Sequence, residues 1–311
     1  MATKNNINVN LFNVNDTNAP FVKIEYLDKD ANEHCALMMI DSCSEVNMLF
    51  ENMTENLCLK KIEIVGKHVI NGLGNEPQEV KDVELNFTLQ SMVCREVFCV
   101  SCVDYPQHCE YPVIGLLGND FLTQHKLALD YGDNTLHTSN ANPSNLSSAD
   151  CEYLYPMNLS NKYYRLPVIS IKLHEKKIVV GVDSGATNNM LAIQSLAESQ
   201  VPIFYLGDGD TMIGSNGAVE TKTAIVPFCL VSALDEGDKE MKEVSIFNII
   251  PKYIIPSQTI EKGDEGQRIP PVEALLGSSF IASQGWVLDF GAQVIYKRKV
   301  NTIEKGEAKI A

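Results

Sequence analysis

Two aspartates in this sequence each close an apolar run and are followed at once by serine. In KIVVGVDSGATNNM the carboxylate is Asp183, with Ser184 and Gly185 behind it; in CALMMIDSCSEVNM it is Asp41, with Ser42 and Cys43 behind it. A carboxylate driven out of the end of a buried strand is a candidate for acid–base work, and two equivalent ones are a candidate pair. Like charges brought close cannot both ionise cheaply, so such a pair shares one proton and its two apparent pKa values separate by about three units. The ionised member can then activate water as a general base while the protonated one donates to a carbonyl oxygen. Such proton transfer contributes about 10²–10⁴-fold in rate.

A lone Asp-Ser-Gly is an ordinary turn, so the elements that would have to position these two residues decide the matter. They occur twice and in one order. PFVKIEYL at 20–27 resembles PVISIKL at 167–173, each an alternating strand followed by a polar turn. The strand ending in Asp41 or Asp183 comes next. About thirty residues on, VINGLGNEPQEV at 69–80 and TMIGSNGAVETK at 211–222 read as glycine-spaced hairpins. Finally PVIGLLGNDFLTQHKLALDYG at 112–132 matches VEALLGSSFIASQGWVLDFG at 272–291, with a short helix predicted after each Leu-Gly. The two halves imply a pseudo-twofold axis, and the equivalent Asp turns would meet on it.

Composition agrees with an ordinary globular chain. The 311 residues are 45% hydrophobic and 21% charged, long enough for about two domains. The formal net charge of −15 argues against a nucleic-acid surface, which relies on clustered Lys and Arg. No apolar run reaches the roughly 18–20 residues that span a bilayer. MATKNNINVNLFNVNDTNAPF has neither a basic n-region nor an apolar h-region, so a cytoplasmic location with reduced thiols is expected.

The nine cysteines include a cluster, Cys94, Cys99, Cys102 and Cys109, beside His108. SMVCREVFCVSCV reads as a strand whose side chains alternate faces, which suits buried apolar thiols and is poor geometry for tetrahedral zinc. No metal and no cofactor is expected. The organisation read from the chain is an N-terminal extension at 1–17, a first lobe at 18–137, a linker at 138–164, a second lobe at 165–297 and a polar tail at 298–311.

The repeated elements resemble the retropepsin-like aspartic proteases, with two lobes fused in one chain as in the pepsins. Asp41-Ser42, Asp183-Ser184-Gly185, the hairpins ING-LG and IGSNG and the two endings carry that resemblance over about 18–137 and 165–297. It implies an all-β fold of two pseudo-symmetric β-barrel lobes with one short helix each. It also implies that Asp41 and Asp183 are the catalytic pair. Ser42 and Ser184 would hydrogen-bond across the axis, with Cys43 and Gly185 completing the turns. Flap tips at Gly72, Leu73 and Gly74 and at Gly214, Ser215, Asn216 and Gly217 would bind substrate backbone. The activity implied is hydrolysis of an extended peptide or protein substrate by a monomeric pseudo-dimer, a homodimer of second halves being the alternative.

Cys43 is the departure, since family enzymes carry glycine there. Its N–H survives, but a thiol beside the pair could crowd the water or the facing turn. Glu45 adds charge near the cleft, raising the pair's pKa values or favouring a basic substrate side chain. Both residues favour the rival function, a catalytically silent peptide-binding or assembly module.

Overall fold

A computed structural model describes residues 6–15, 17–28, 30–52, 64–70, 78–101, 110–142, 146–147, 150–157, 159, 163, 165–209, 211–214, 217–233, 239–255, 258–259 and 268–299. The first half runs β1 (Asn8–Asn10), β2 (Phe21–Leu27), β3 (Glu33–Ile40), β4 (Asn47–Phe50), β5 (Ile64–Ile70), β6 (Gln78–Leu89), β7 (Met92–Ser101), β8 (Val113–Leu117), helix α1 (Asn119–Gln124), β9 (Leu127–Asp130) and β10 (Thr135–Thr138). β11 (Cys151–Pro156) leads to the second half. There follow β12 (Val168–Leu173), β13 (Lys176–Asp183), β14 (Asn189–Ala192), α2 (Ile193–Ser199), β15 (Phe204–Asp208), β16 (Met212–Gly214), β17 (Gly217–Val219), β18 (Lys222–Ser232) and β19 (Lys239–Ile250). β20 (Gln258–Thr259), β21 (Arg268–Ile269), β22 (Val272–Gly277), α3 (Ser278–Gln284), β23 (Trp286–Asp289) and β24 (Val294–Arg298) complete it.

The halves have one topology. The first sheet is ordered β2-β3-β8-β4-β7-β6-β5 and the second β12-β13-β22-β14-β19-β18-β15. Extra pairings of β2 with β6 and of β12 with β18 close a six-stranded barrel in each, leaving β5 and β15 appended. Alternation dictates these strands: in β18, Ala224, Val226, Phe228 and Leu230 point inward while Ile225, Pro227 and Cys229 are half-exposed. β8 and β22 are buried along their length, because each runs parallel to the strand that delivers an aspartate and both of its faces are covered.

A third sheet, β1-β10-β9-β23-β24-β11, joins the lobes. At its centre Leu129 pairs with Leu288, flanked by Asp130↔Val287 and Ala128↔Asp289, a register symmetric about the axis. Trp286, on β23 of this sheet, is fully buried and stacks on Tyr153 of β11 at 5.2 Å. The two-barrel all-β architecture matches the one expected from the sequence. Two segments read as connections are structural members: β1 lies in the N-terminal extension and β11 in the linker. Beyond the two helices after Leu-Gly, lobe 2 carries α2, which buries Leu196 and ends where Gln200 turns left-handed at φ 53°.

Candidate active site

β3 and β13 each run apolar into the axis and end at an aspartate. The Asp41 N–H donates to Leu117 O at 3.0 Å, and Asp183 lies in register with Gly277. Beyond each aspartate the chain turns so that backbone amides point back at its carboxylate. Asp41 Oδ1 accepts from the N–H groups of Cys43 and Ser44, both at 2.9 Å. Asp183 Oδ1 accepts from Gly185 at 2.9 Å and Ala186 at 3.1 Å.

The serines lock the turns across the axis. Ser42 N–H donates to Ser184 Oγ at 2.9 Å and Ser184 N–H to Ser42 Oγ at 2.8 Å. Their hydroxyls in turn donate to Val182 O at 2.7 Å and Ile40 O at 2.8 Å. All four bonds join one half to the other, and both serines are fully buried.

Held this way, the carboxyl groups of Asp41 and Asp183 come close enough for each to perturb the other. Burial pushes both above the usual carboxylate range, and Asp183 further because the Asp41 charge faces it; the turn amides pull the other way. Two carboxyls that perturb each other titrate as a pair and not one by one. The arrangement can present an ionised oxygen and a protonated one to the same small molecule.

Gly185 is required by this closeness and not by its own dihedral angle. A Cβ there would lie 2.5 Å from Asp41 Cγ, closer than non-bonded carbons approach. At the equivalent place in the first half stands Cys43, which is not among the residues with positive φ and so carries no left-handed strain. Its amide keeps the bond to Asp41, as expected. Its thiol crosses into lobe 2, 3.5 Å from Val182 O, and packs beside Leu275, Met190 and Val272. Gly181 lies beside it: a Cβ there would strike Leu275 Cδ2 at 2.6 Å while standing in ordinary contact with the thiol sulfur at 3.5 Å. Burial pushes the Cys43 thiol well above its usual range, and the Asp183 and Asp41 charges push the same way.

Of the expected flap residues, Gly214 and Gly217 pair with each other at the end of the β16–β17 hairpin. Ser215 and Asn216 between them, and Gly72, Leu73 and Gly74 between β5 and β6, lie outside the described residues. Glu45 is exposed, and its carbonyl accepts the Asp120 N–H at 3.2 Å. In the cysteine cluster, Cys94 faces the barrel core and Cys99 the opposite side of β7, each thiol pushed up to about 12 by burial. Cys102, His108 and Cys109 lie outside the described residues.

The fold is two closed six-stranded barrels of one topology joined by a shared sheet. No family model and no curated protein matches the chain. Among solved structures it is similar to basic 7S globulin from soybean, at 11% identity over 96% of this chain and 97% of that one, with a TM-score of 0.49. It is also similar to the aspartic proteinase from Irpex lacteus, at 10% identity over 95% and 98%, with a TM-score of 0.48.

Two residues absent from the sequence reading belong to this site. Asn47 and Asn189 are buried and accept the N–H groups of Gly118 and Gly277, each at 2.9 Å. The signal was present: Asn-Met stands six residues after each aspartate.

Proposed function

We propose that this chain is an aspartic endopeptidase that hydrolyses extended peptides between its two lobes. The observation that carries the reading is the close approach of two carboxyls, each held by two turn amides, whose turns are locked by crossed serine hydroxyls. A water held by the pair loses a proton to the ionised carboxylate as its oxygen attacks the scissile carbonyl carbon. The protonated carboxyl donates to the carbonyl oxygen, giving a neutral tetrahedral diol. Collapse breaks the C–N bond while a proton passes to the leaving nitrogen, and the pair returns to its singly protonated state. No metal or cofactor enters this sequence. The substrate is a peptide or protein, and the hairpin ending at Gly214 and Gly217 is assigned to cover its backbone.

A second reading has its own observation. The Cys43 thiol sits where glycine would leave space, and the charge that acts most on it is Asp183. A thiol that displaces the water would leave a silent peptide-binding module. Digestion of a peptide library across pH 3–8, beside Asp41→Asn and Asp183→Asn, separates the two. Cleavage lost in both variants supports the peptidase; peptide binding without turnover supports the module. Full activity in Asp41→Asn would point to two chains pairing their second halves.

A further inference from the structure

We infer that Asn47 and Asn189 are positioning residues that set the turn amides facing Asp41 and Asp183. The inference rests on the peptidase reading for its consequence in catalysis, but its geometry stands apart from it. In lobe 1, Asn47 Oδ1 holds the Gly118 N–H at 2.9 Å. The next amide, Asn119 N–H, donates to Ser44 O at 2.7 Å. Ser44 is also a donor to the Asp41 carboxylate, at 2.9 Å. Three consecutive hydrogen bonds therefore connect the asparagine side chain to the acid, through two short backbone links.

Lobe 2 repeats the relay with different residues. Asn189 Oδ1 holds Gly277 N–H at 2.9 Å, Ser278 N–H donates to Ala186 O at 2.7 Å, and Ala186 N–H donates to Asp183 Oδ1 at 3.1 Å. That identical connectivity arises from Ser-Glu-Val in one half and Ala-Thr-Asn in the other is what separates it from incidental packing. The asparagine is the side chain the two relays share at this step.

The anchors differ in strength. Asn189 Nδ2 donates to Ser245 Oγ at 2.9 Å and to Ile246 O at 3.0 Å, whereas Asn47 Nδ2 has Val97 O at 3.3 Å. Asn189 is thus the more firmly oriented of the two, and Asp183 the carboxyl whose amides are held more tightly. Loosening either turn weakens N–H donation to an ionised oxygen, and that donation favours the charged form. A residue that merely filled space would alter stability and leave the carboxyl titration where it was.

The test is carboxyl ¹³C NMR titration of the whole chain, with Asp41→Asn and Asp183→Asn assigning the resonances, on Asn47→Ala, Asn189→Ala and Ser245→Ala. Each Asn→Ala variant should move the titration of the pair upward by about half a unit to one unit. Asn189→Ala should have the larger effect, and Ser245→Ala, which removes one of the two Asn189 anchors, a smaller shift of the same sign. Where cleavage is measurable, the acid limb of kcat/KM should move with the NMR midpoint. If Asn189→Ala does not fold, Asn47→Ala, which gives up the weaker anchor, carries the test. Unmoved midpoints in folded Asn→Ala protein overturn the relay whatever the activity. Moved midpoints in a wild type that cleaves nothing would remove the peptidase reading and leave the relay in place.

Discussion

Replacing Asp183 by asparagine should make this protein more stable at neutral pH, by an amount that grows with pH. The amide is the same size as the carboxyl. Its oxygen can accept the Gly185 and Ala186 N–H groups, and its Nδ2 can donate to Asp41, so no hydrogen bond of the site need be lost. What disappears is the second ionisation. In the wild type the pair retains a proton that the unfolded chain has released, because burial and the Asp41 charge hold the folded pKa of Asp183 above its usual value. A carboxyl raised on folding contributes its full stabilisation below its unfolded pKa of about 4 and loses it as pH rises through the folded pKa. The loss runs at about 1.4 kcal/mol per pH unit. It levels off once the folded pKa is passed, so each unit by which folding raises that pKa costs about 1.4 kcal/mol at neutral pH.

The variant lacks this decline, so the difference between the two proteins should be close to zero at pH 3–4 and widen steadily above it. Titrating groups that do not face Asp183 are common to both and cancel. In melting temperature each kcal/mol of that difference is roughly 2–4 °C, read by differential scanning fluorimetry at matched ionic strength from pH 3 to 8. Melting temperatures that run parallel across that range would mean that the two carboxyls do not share a proton. The peptidase mechanism would then fall with them, without any substrate having been found.

Ser184→Ala removes two of the four crossed bonds and strands the Ser42 N–H and the Ile40 carbonyl in the buried axis. The expected loss is roughly 2–5 kcal/mol by urea denaturation at fixed pH, and a loss under about 0.5 kcal/mol would contradict the crossed geometry. Cys43→Gly keeps the amide bond to Asp41 and should change kcat/KM by less than about tenfold, at a stability cost of about 1 kcal/mol; cleavage that emerges only in this variant would identify the thiol as a block. Arg298→Ala leaves the fully buried Asp130, now paired through Arg298 at 2.8 Å, with His137 as its remaining cation at 3.8 Å. Since Arg298 is 46% exposed, the cost is about 1–2 kcal/mol. Because Asp130 raises the His137 pKa, that histidine's help is complete below its unfolded pKa and fades as pH rises through the folded one, so the variant's deficit should be smaller at pH 5 than at pH 8.

The duplicated strands, the two aspartates and the helices after Leu-Gly were legible because each has a local cause, either alternation, an apolar run broken by a carboxylate, or glycine before a helix. β1 and β11 were not. Asn-Val-Asn and Cys-Glu-Tyr-Leu-Tyr-Pro have no clear period, and they are strands because β10 and β24 offer them ladders, a long-range cause that a local pattern does not contain. α2 escaped notice for a related reason: a seven-residue helix with Leu196 as its main inward apolar side chain is too short for a 3.6-residue period to emerge. Asn47 and Asn189 are a different case. Their repetition was visible, but asparagine is common in turns, and only the distance to Gly118 and Gly277 reveals what the amide is for.

The direction of the Cys43 side chain explains how one half tolerates a residue that the other could not. At Gly185 a side chain would strike the Asp41 carboxyl, whereas the Cys43 thiol lies in the other lobe, 3.5 Å from Val182 O and beside Gly181. The residue of the first half corresponding to Gly181 is Met39, so two copies of the first half would set a thiol against a methionine on both sides of the axis. Two copies of the second half would have glycine at both places. A homodimer must place the same residue on both sides of its axis, so the contact of a thiol beside glycine forms only between two different halves.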